Sequence, residues 1–164
     1  MATPVFDPGG FYEFNLAEGA VRTRDGARVL VLTDNAVAPL VSAAVQNGDL
    51  TAVRALGKHI GEHIVSSLGG GADDASPEAV LGHASATMAL FGWGKLGFES
   101  WGAALVVSIE RLPVLDEAHL GVAALLGGML SVVSRKEVAC VPVETDRFVV
   151  VDPRVAEHVW MWSQ

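Results

Sequence analysis

Two pairs of glycines stand inside apolar stretches of this 164-residue chain. Gly57 and Gly61 lie four residues apart within residues 52–68. Gly127 and Gly128 interrupt the strongly apolar run Leu120–Val133, which holds a third glycine, Gly121. Glycine in a solvated helix costs about 1 kcal/mol relative to Ala. A sequence that places it there calls for close approach of another backbone. Residues one helical turn apart share a side, so Gly57 and Gly61 form a smooth strip. The pattern predicts that this strip packs against a neighbouring helix or strand. The Leu120 helix, with Gly127 and Gly128, offers the matching shallow surface.

The balance of residue types narrows the class. The chain is 51% hydrophobic and 18% charged, which describes a compact domain rather than a disordered segment. At this length a single domain, residues 1–164, holds a sizeable core. The polar surface left over is thin, so some apolar surface is expected to be buried in an oligomer, most simply a homodimer. A net charge of −8 argues against nucleic acid and against anionic lipid as partners. The single Cys140 excludes an intrachain disulfide and a cysteine-rich zinc site. The first residues lack the basic-then-apolar plan of a signal peptide, and Leu120–Val133 is too short to span a bilayer. These features predict a cytoplasmic protein with no membrane span, and Leu120–Val133 reads as a buried core helix.

Along the chain, Pro4, Pro8, Gly9 and Gly10 suggest a loosely ordered lead over residues 1–12. Residues 20–23 and 28–32 flank Asp25-Gly26, a hairpin signal. Thr33 or Asp34 can cap a helix over 35–46, in which Pro39 is tolerated only in the first turn. A second helix covers about 50–68, with Val53, Leu56, Ile60 and Ile64 on one face. Ser76-Pro77-Glu78 reads as cap, first-turn proline and first-turn acid of a third helix ending near Leu90. Residues 91–97 form a glycine-rich aromatic turn before an apolar strand at 103–109. Pro113 and Asp116 introduce the Leu120 helix, which ends near Arg135. Residues 138–143 and 148–151 make a hairpin around Thr145-Asp146, and residues 155–162 are a short tail, strand or helix. Strands come early, mid-chain and late without regular βαβ alternation. The prediction is therefore an α+β domain with an antiparallel sheet packed beside a helical layer.

Several of these segments resemble one family. Leu56-Gly57-Lys58-His59-Ile60-Gly61-Glu62 is similar to the Gly-x-x-x-Gly helix of 4-vinyl reductase domains. Phe91-Gly92-Trp93-Gly94-Lys95-Leu96 is similar to the turn before that domain's central strand. Gly121 to Met129, followed by Val138 to Thr145, resembles its last helix and hairpin. The element order fits from about residue 20 to 151. The resemblance implies a fold shared with small subunits of vesicle-tethering complexes, and a dimer. It also implies one of three roles: sensor of small, often aromatic molecules, pigment-biosynthesis accessory, or scaffold. One departure stands out. Many such domains carry zinc-holding cysteines around the last hairpin, whereas here that hairpin is Glu144-Thr145-Asp146-Arg147-Phe148, without cysteine. No metal and no cofactor is assigned.

The sharpest chemical motif is His59-Ile60-Gly61-Glu62-His63, which matches His-x-x-Glu-His, a zinc-hydrolase signature. Five residues on a helix recur by chance, and the wheel puts Glu62 opposite Ile60, where a solvated residue belongs. The simpler reading is an exposed helix face. No catalytic residue is assigned. Phe91, Trp93, Phe98 and Trp101 form an aromatic cluster at a helix-to-strand junction, which reads either as core or as the wall of an apolar pocket. A ligand site near Trp93 would draw on His83, Phe91, Trp93 and Trp101. In a strand, Trp160 and Trp162 would share a face, and such a face at a chain end often meets a protein partner. Two functions follow: a non-catalytic dimeric interaction or scaffold domain, and a sensor or carrier of a small apolar or aromatic ligand.

Overall fold

The computed structural model describes residues 10–68 and 75–162, the side chains of 158–162 excepted. Strands β1 (Tyr12–Asn15), β2 (Ala20–Thr23) and β3 (Arg28–Val29) form one small antiparallel sheet in that order. Three helices follow: α1 (Asp34–Gln46), α2 (Thr51–Ser67) and α3 (Pro77–Leu90). Next come strands β4 (Lys95–Trp101) and β5 (Ala104–Glu110), helix α4 (Leu120–Val133), strands β6 (Ala139–Glu144) and β7 (Arg147–Val151), and helix α5 (Pro153–Trp162). The second sheet runs β4-β5-β7-β6, antiparallel throughout. This is the α+β arrangement predicted, with the early strands set apart in their own sheet.

Helix α4 is the axis of the molecule. Gly121 through Ser131 are all buried, and a helix apolar on every side must be covered on every side. Helix α2 covers one flank and β6 another, with α1 completing the shell. The α2–α4 contact is a backbone-to-backbone approach. A Cβ on Gly61 would stand 2.8 Å from both the Met129 carbonyl oxygen and the Val132 Cβ. A Cβ on Gly128 would collide with the Arg54 carbonyl oxygen, and one on Gly57 with that of Leu125. The predicted partner of the glycine strip is the observed one. Ile60 and Ile64 face inward as predicted, whereas Leu56 is 46% exposed, because the glycines themselves take the centre of the contact. Ile64, Met88, Leu125, Leu126, Met129, Val107, Ile109 and Phe148 form the centre of the core.

Arg54 fastens this packing. The two hydrogens of its Nη2 are shared among Ser131 Oγ at 3.0 Å, Glu137 Oε2 at 2.8 Å and the Val138 carbonyl at 2.8 Å, tying α2 to the connection from α4 into β6. Asp116 caps α4: its carboxylate accepts from the backbone N–H of Leu120 at 2.8 Å and of Gly121 at 2.9 Å. Ser76 caps α3 as the sequence indicates, accepting from Ala79 N at 3.2 Å.

Other expectations need correction. The loose lead over residues 1–12 falls largely outside the described residues. Within them, Tyr12 opens β1 and its hydroxyl donates to the Leu90 carbonyl at 2.9 Å. The early hairpin pairs Val21 with Val29, but β3 stops there, leaving Leu30, Val31 and Leu32 exposed. Pro39 lies beyond the first turn of α1, inside a helix that buries only Val41 among its residues. The stretch after Gly94 is not all turn. Positive φ at Gly92 and Gly94 ends the turn, and β4 begins at Lys95 to pair with β5 around Gly102, whose φ is 63°. A glycine at that first central position makes a two-residue hairpin possible. No helix of the described residues is long and apolar enough to cross a membrane.

Candidate ligand-binding site

The main sheet is covered unevenly. Helix α3 packs over β4, one edge strand, and α4 over β6, the other. Toward one end, the central strands β5 and β7 are left bare between them. Leu105 and Val150, cross-strand partners, lie on the floor of the resulting cleft. Pro77, Val80 and Leu81 of α3 line one side, and Leu130, Val133 and Ser134 at the end of α4 the other. Ala75, Lys136 and Val138 also line it, and the volume is about 480 Å³. Pockets of a few hundred Å³ with predominantly apolar walls are typical of small-molecule sites. Ser134 Oγ is already engaged, donating to the Leu130 carbonyl at 2.6 Å with the Lys136 carbonyl at 3.2 Å.

A second apolar cleft, of about 310 Å³, lies beside Trp93. Phe91, Trp93, Leu56, Val37 and Leu115 line it, with Asp34 as its carboxylate and Leu30 and Leu32 on its margin. Those two leucines are 78% and 63% exposed, so this cleft is continuous with an open aliphatic surface. A smaller cleft of about 270 Å³ between α2, α4, β6 and α5 is lined in part by Arg54 and Cys140. Burial pushes the Cys140 thiol up to about 12, so it is protonated and inert as a nucleophile.

The four aromatic and histidine positions singled out from sequence do not converge. Phe91 and Trp93 share the second cleft. His83 lies on α3 with its Nε2 2.6 Å from Ser67 Oγ on α2 and lines neither cleft. Burial, with His63 nearby, holds its imidazole below the usual histidine range. Trp101 closes β4 at 44% exposure, with the Arg147 guanidinium 5.7 Å from its ring and its Nε1 donating to Glu99. The face proposed for Trp160 and Trp162 required a strand. Residues 153–162 are helix α5, which lacks the two-residue repeat, and both side chains lie outside the described residues.

Of the His-x-x-Glu-His segment, His59 and Glu62 stand on the outer helix face, Ile60 and Gly61 are buried, and His63 is half-buried. His59 is 85% exposed with its Nδ1 2.9 Å from Glu62 Oε2, and the His63 ring stands 5.4 Å from that of Phe91. Among the described residues no three His, Cys, Asp or Glu side chains are grouped to hold a metal ion. The larger cleft was missed from sequence. Val80, Leu81, Leu105, Leu130 and Val150 are ordinary aliphatic residues in regular elements, and nothing in their spacing marks an unfilled space.

No protein-family profile matches the chain, and no curated protein matches it. Among solved structures, the fold is similar to the phenol-responsive sensory domain of the transcription activator PoxR, determined with phenol. The TM-score is 0.67 at 12% identity, over 91% of this chain and 90% of that one. At this identity the likeness establishes a shared fold.

Proposed function

We propose that this chain is a sensory domain for a small apolar ligand, taken up in the cleft between α3, α4 and strands β5 and β7. The observation that carries this reading is the placement of that cleft. Its walls come from both the helical layer and the sheet, so a bound molecule would touch α3, α4, β5 and β7 at once. Such a ligand stabilises the folded state by mass action and favours one spacing of α3 and α4. The shared fold with a phenol-responsive sensory domain supports the same reading. The resemblance to 4-vinyl reductase domains, carried by the Gly57–Gly61 helix and the closing helix and hairpin, belongs to this proposal, as does a cytoplasmic location.

The test is binding. Native mass spectrometry of the purified protein reads any retained molecule, and calorimetric titration with phenol as probe reads affinity. Ligand-dependent shifts of the Val80, Leu130 and Val150 methyl resonances support the reading. If shifts are confined to Trp93 and Leu115, the site lies in the second cleft. If a panel of neutral aromatic and aliphatic probes produces none, the sensory reading fails.

A second reading, a dimeric interaction domain, is favoured by one observation. Leu30, Val31 and Leu32 are 78%, 70% and 63% exposed beside the Trp93 cleft. A contiguous aliphatic surface of this kind commonly marks a contact with another chain. Sedimentation at tens of micromolar (about the scale at which specific interfaces of micromolar affinity populate) separates dimer from monomer. A monomer unaffected by Leu32→Asp would remove this reading.

A further inference from the structure

We infer that the ligand of the α3–α4 cleft is a monocarboxylate with an apolar body, such as a medium-chain or aryl-alkyl acid, held at its head by Lys136. This rests on the cleft being a ligand site, as proposed above. Among the described residues, two that line the cleft carry a side-chain hydrogen-bond donor, Ser134 and Lys136. The Ser134 hydroxyl has a single hydrogen, directed at the carbonyls of Leu130 and Lys136, and can offer a ligand only lone pairs. Lys136 is exposed and forms no ion pair among the described residues. Its backbone is fixed all the same, because its N–H donates to the Ser131 carbonyl at 3.2 Å. Among the described residues the cleft thus offers aliphatic walls, no carboxylate, and one cation with three N–H donors and no side-chain partner.

That combination discriminates among ligand chemistries. An amine or other cation finds repulsion at Lys136 and, among the described residues, no acceptor side chain except Ser134. A neutral hydrocarbon fills the walls and leaves the ammonium unmatched. A carboxylate at the end of an apolar body meets both, with a charge-assisted hydrogen bond to the ammonium. Because the ammonium is solvent-accessible, the pair is a modest one. Exposed pairs of this type change affinity by about two- to five-fold.

Octanoate and its neutral counterpart 1-octanol separate the two layers of the proposal. Calorimetric titration of the whole chain with each, and with each in competition, gives affinities, and methyl NMR at Val80 and Leu130 reports the site. We expect both to bind the cleft and compete. Lys136→Met should weaken octanoate about two- to five-fold and leave 1-octanol unchanged, and Lys136→Glu should weaken octanoate further. Equal octanoate affinity in wild type and Lys136→Met, with 1-octanol still bound in the cleft, overturns the carboxylate assignment and leaves the sensory reading standing. Failure of both probes, or binding that leaves the Val80 and Leu130 methyls unmoved, overturns both. Lys136 is exposed, so these variants do not test folding.

Discussion

Gly57 of α2 lies against the main chain of Leu125 of α4, where a Cβ would overlap the Leu125 carbonyl oxygen. Four residues on, Gly61 meets Met129 in the same way, and from the other helix Gly128 meets the Arg54 carbonyl. The two helices approach as closely as they do because glycines occupy the contact from both sides. The atoms opposite are mostly backbone and cannot rotate away.

That contact makes the sign of one substitution predictable. Gly61→Leu should lower the melting temperature. Overpacking costs about 1–3 kcal/mol, against a gain of about 1 kcal/mol in helix propensity. Each net kcal/mol is about 2–4 °C for a domain of this size. Gly57→Ala should destabilise as well, since even a methyl group has no room. A raised midpoint for either variant, read by calorimetry, contradicts the close approach.

The clamp on Glu137 predicts a pH dependence. Lys58 Nζ at 2.7 Å, and then Arg54 Nη2 at 2.8 Å, hold its carboxyl below the usual carboxylate range. A depressed folded-state value contributes stability above the unfolded-state pKa and loses it as pH falls through the folded one. Glu137→Gln should therefore be less stable than wild type at neutral pH. The side chain is 61% exposed, which limits the difference to about 0.2–1 kcal/mol per pair. The two urea curves should converge in acid. A gap that stays constant down to pH values below the carboxylate range (about 4) would show that charge is not the cause.

Asp116 carries the start of the central helix. Its carboxylate satisfies two backbone N–H groups, that of Gly121 being buried. Asp116→Ala should cost about 1–2 kcal/mol, the upper end for a cap. Asp116→Asn keeps one acceptor oxygen and should cost less. Urea denaturation of the three proteins ranks them, and an alanine variant as stable as wild type would remove the cap from the account.

Cys140 should resist thiol reagents in the folded protein. Its thiol is buried and pushed up to about 12, so almost none is thiolate at pH 8. Disulfide-exchange colorimetry should show labelling only as urea unfolds the chain. Rapid labelling of the native protein would place the thiol at an accessible surface.

Some of this was legible one residue at a time. Ser76-Pro77-Glu78 carries its own cap chemistry and forms it locally, so the start of α3 follows from three residues. Thr145-Asp146 between two apolar alternating stretches is a turn signal, and β6 and β7 pair around it. Strand β4 was not legible. Its glycine and aromatic residues, Gly97 and Phe98, look like the continuation of a turn, and only pairing with β5 makes them extended. The C-terminal tail was ambiguous for the same reason, since a short apolar segment takes the period that its neighbours impose.

What the sequence by itself determined is the apolar central helix and its close partner. The glycines at 57, 61, 127 and 128 are a local cost that only a packed backbone offsets, and the cost is visible in one dimension. What only the tertiary structure decided is where space remains. The α3–α4 cleft exists because α3 lies over β4 and α4 over β6, leaving Leu105 and Val150 uncovered between them. A void is a relation among elements distant in the chain and carries no residue type of its own. His83 and Trp101, conspicuous in the sequence, therefore stand apart from the cleft, while Val80, Leu81 and Lys136, inconspicuous there, line it.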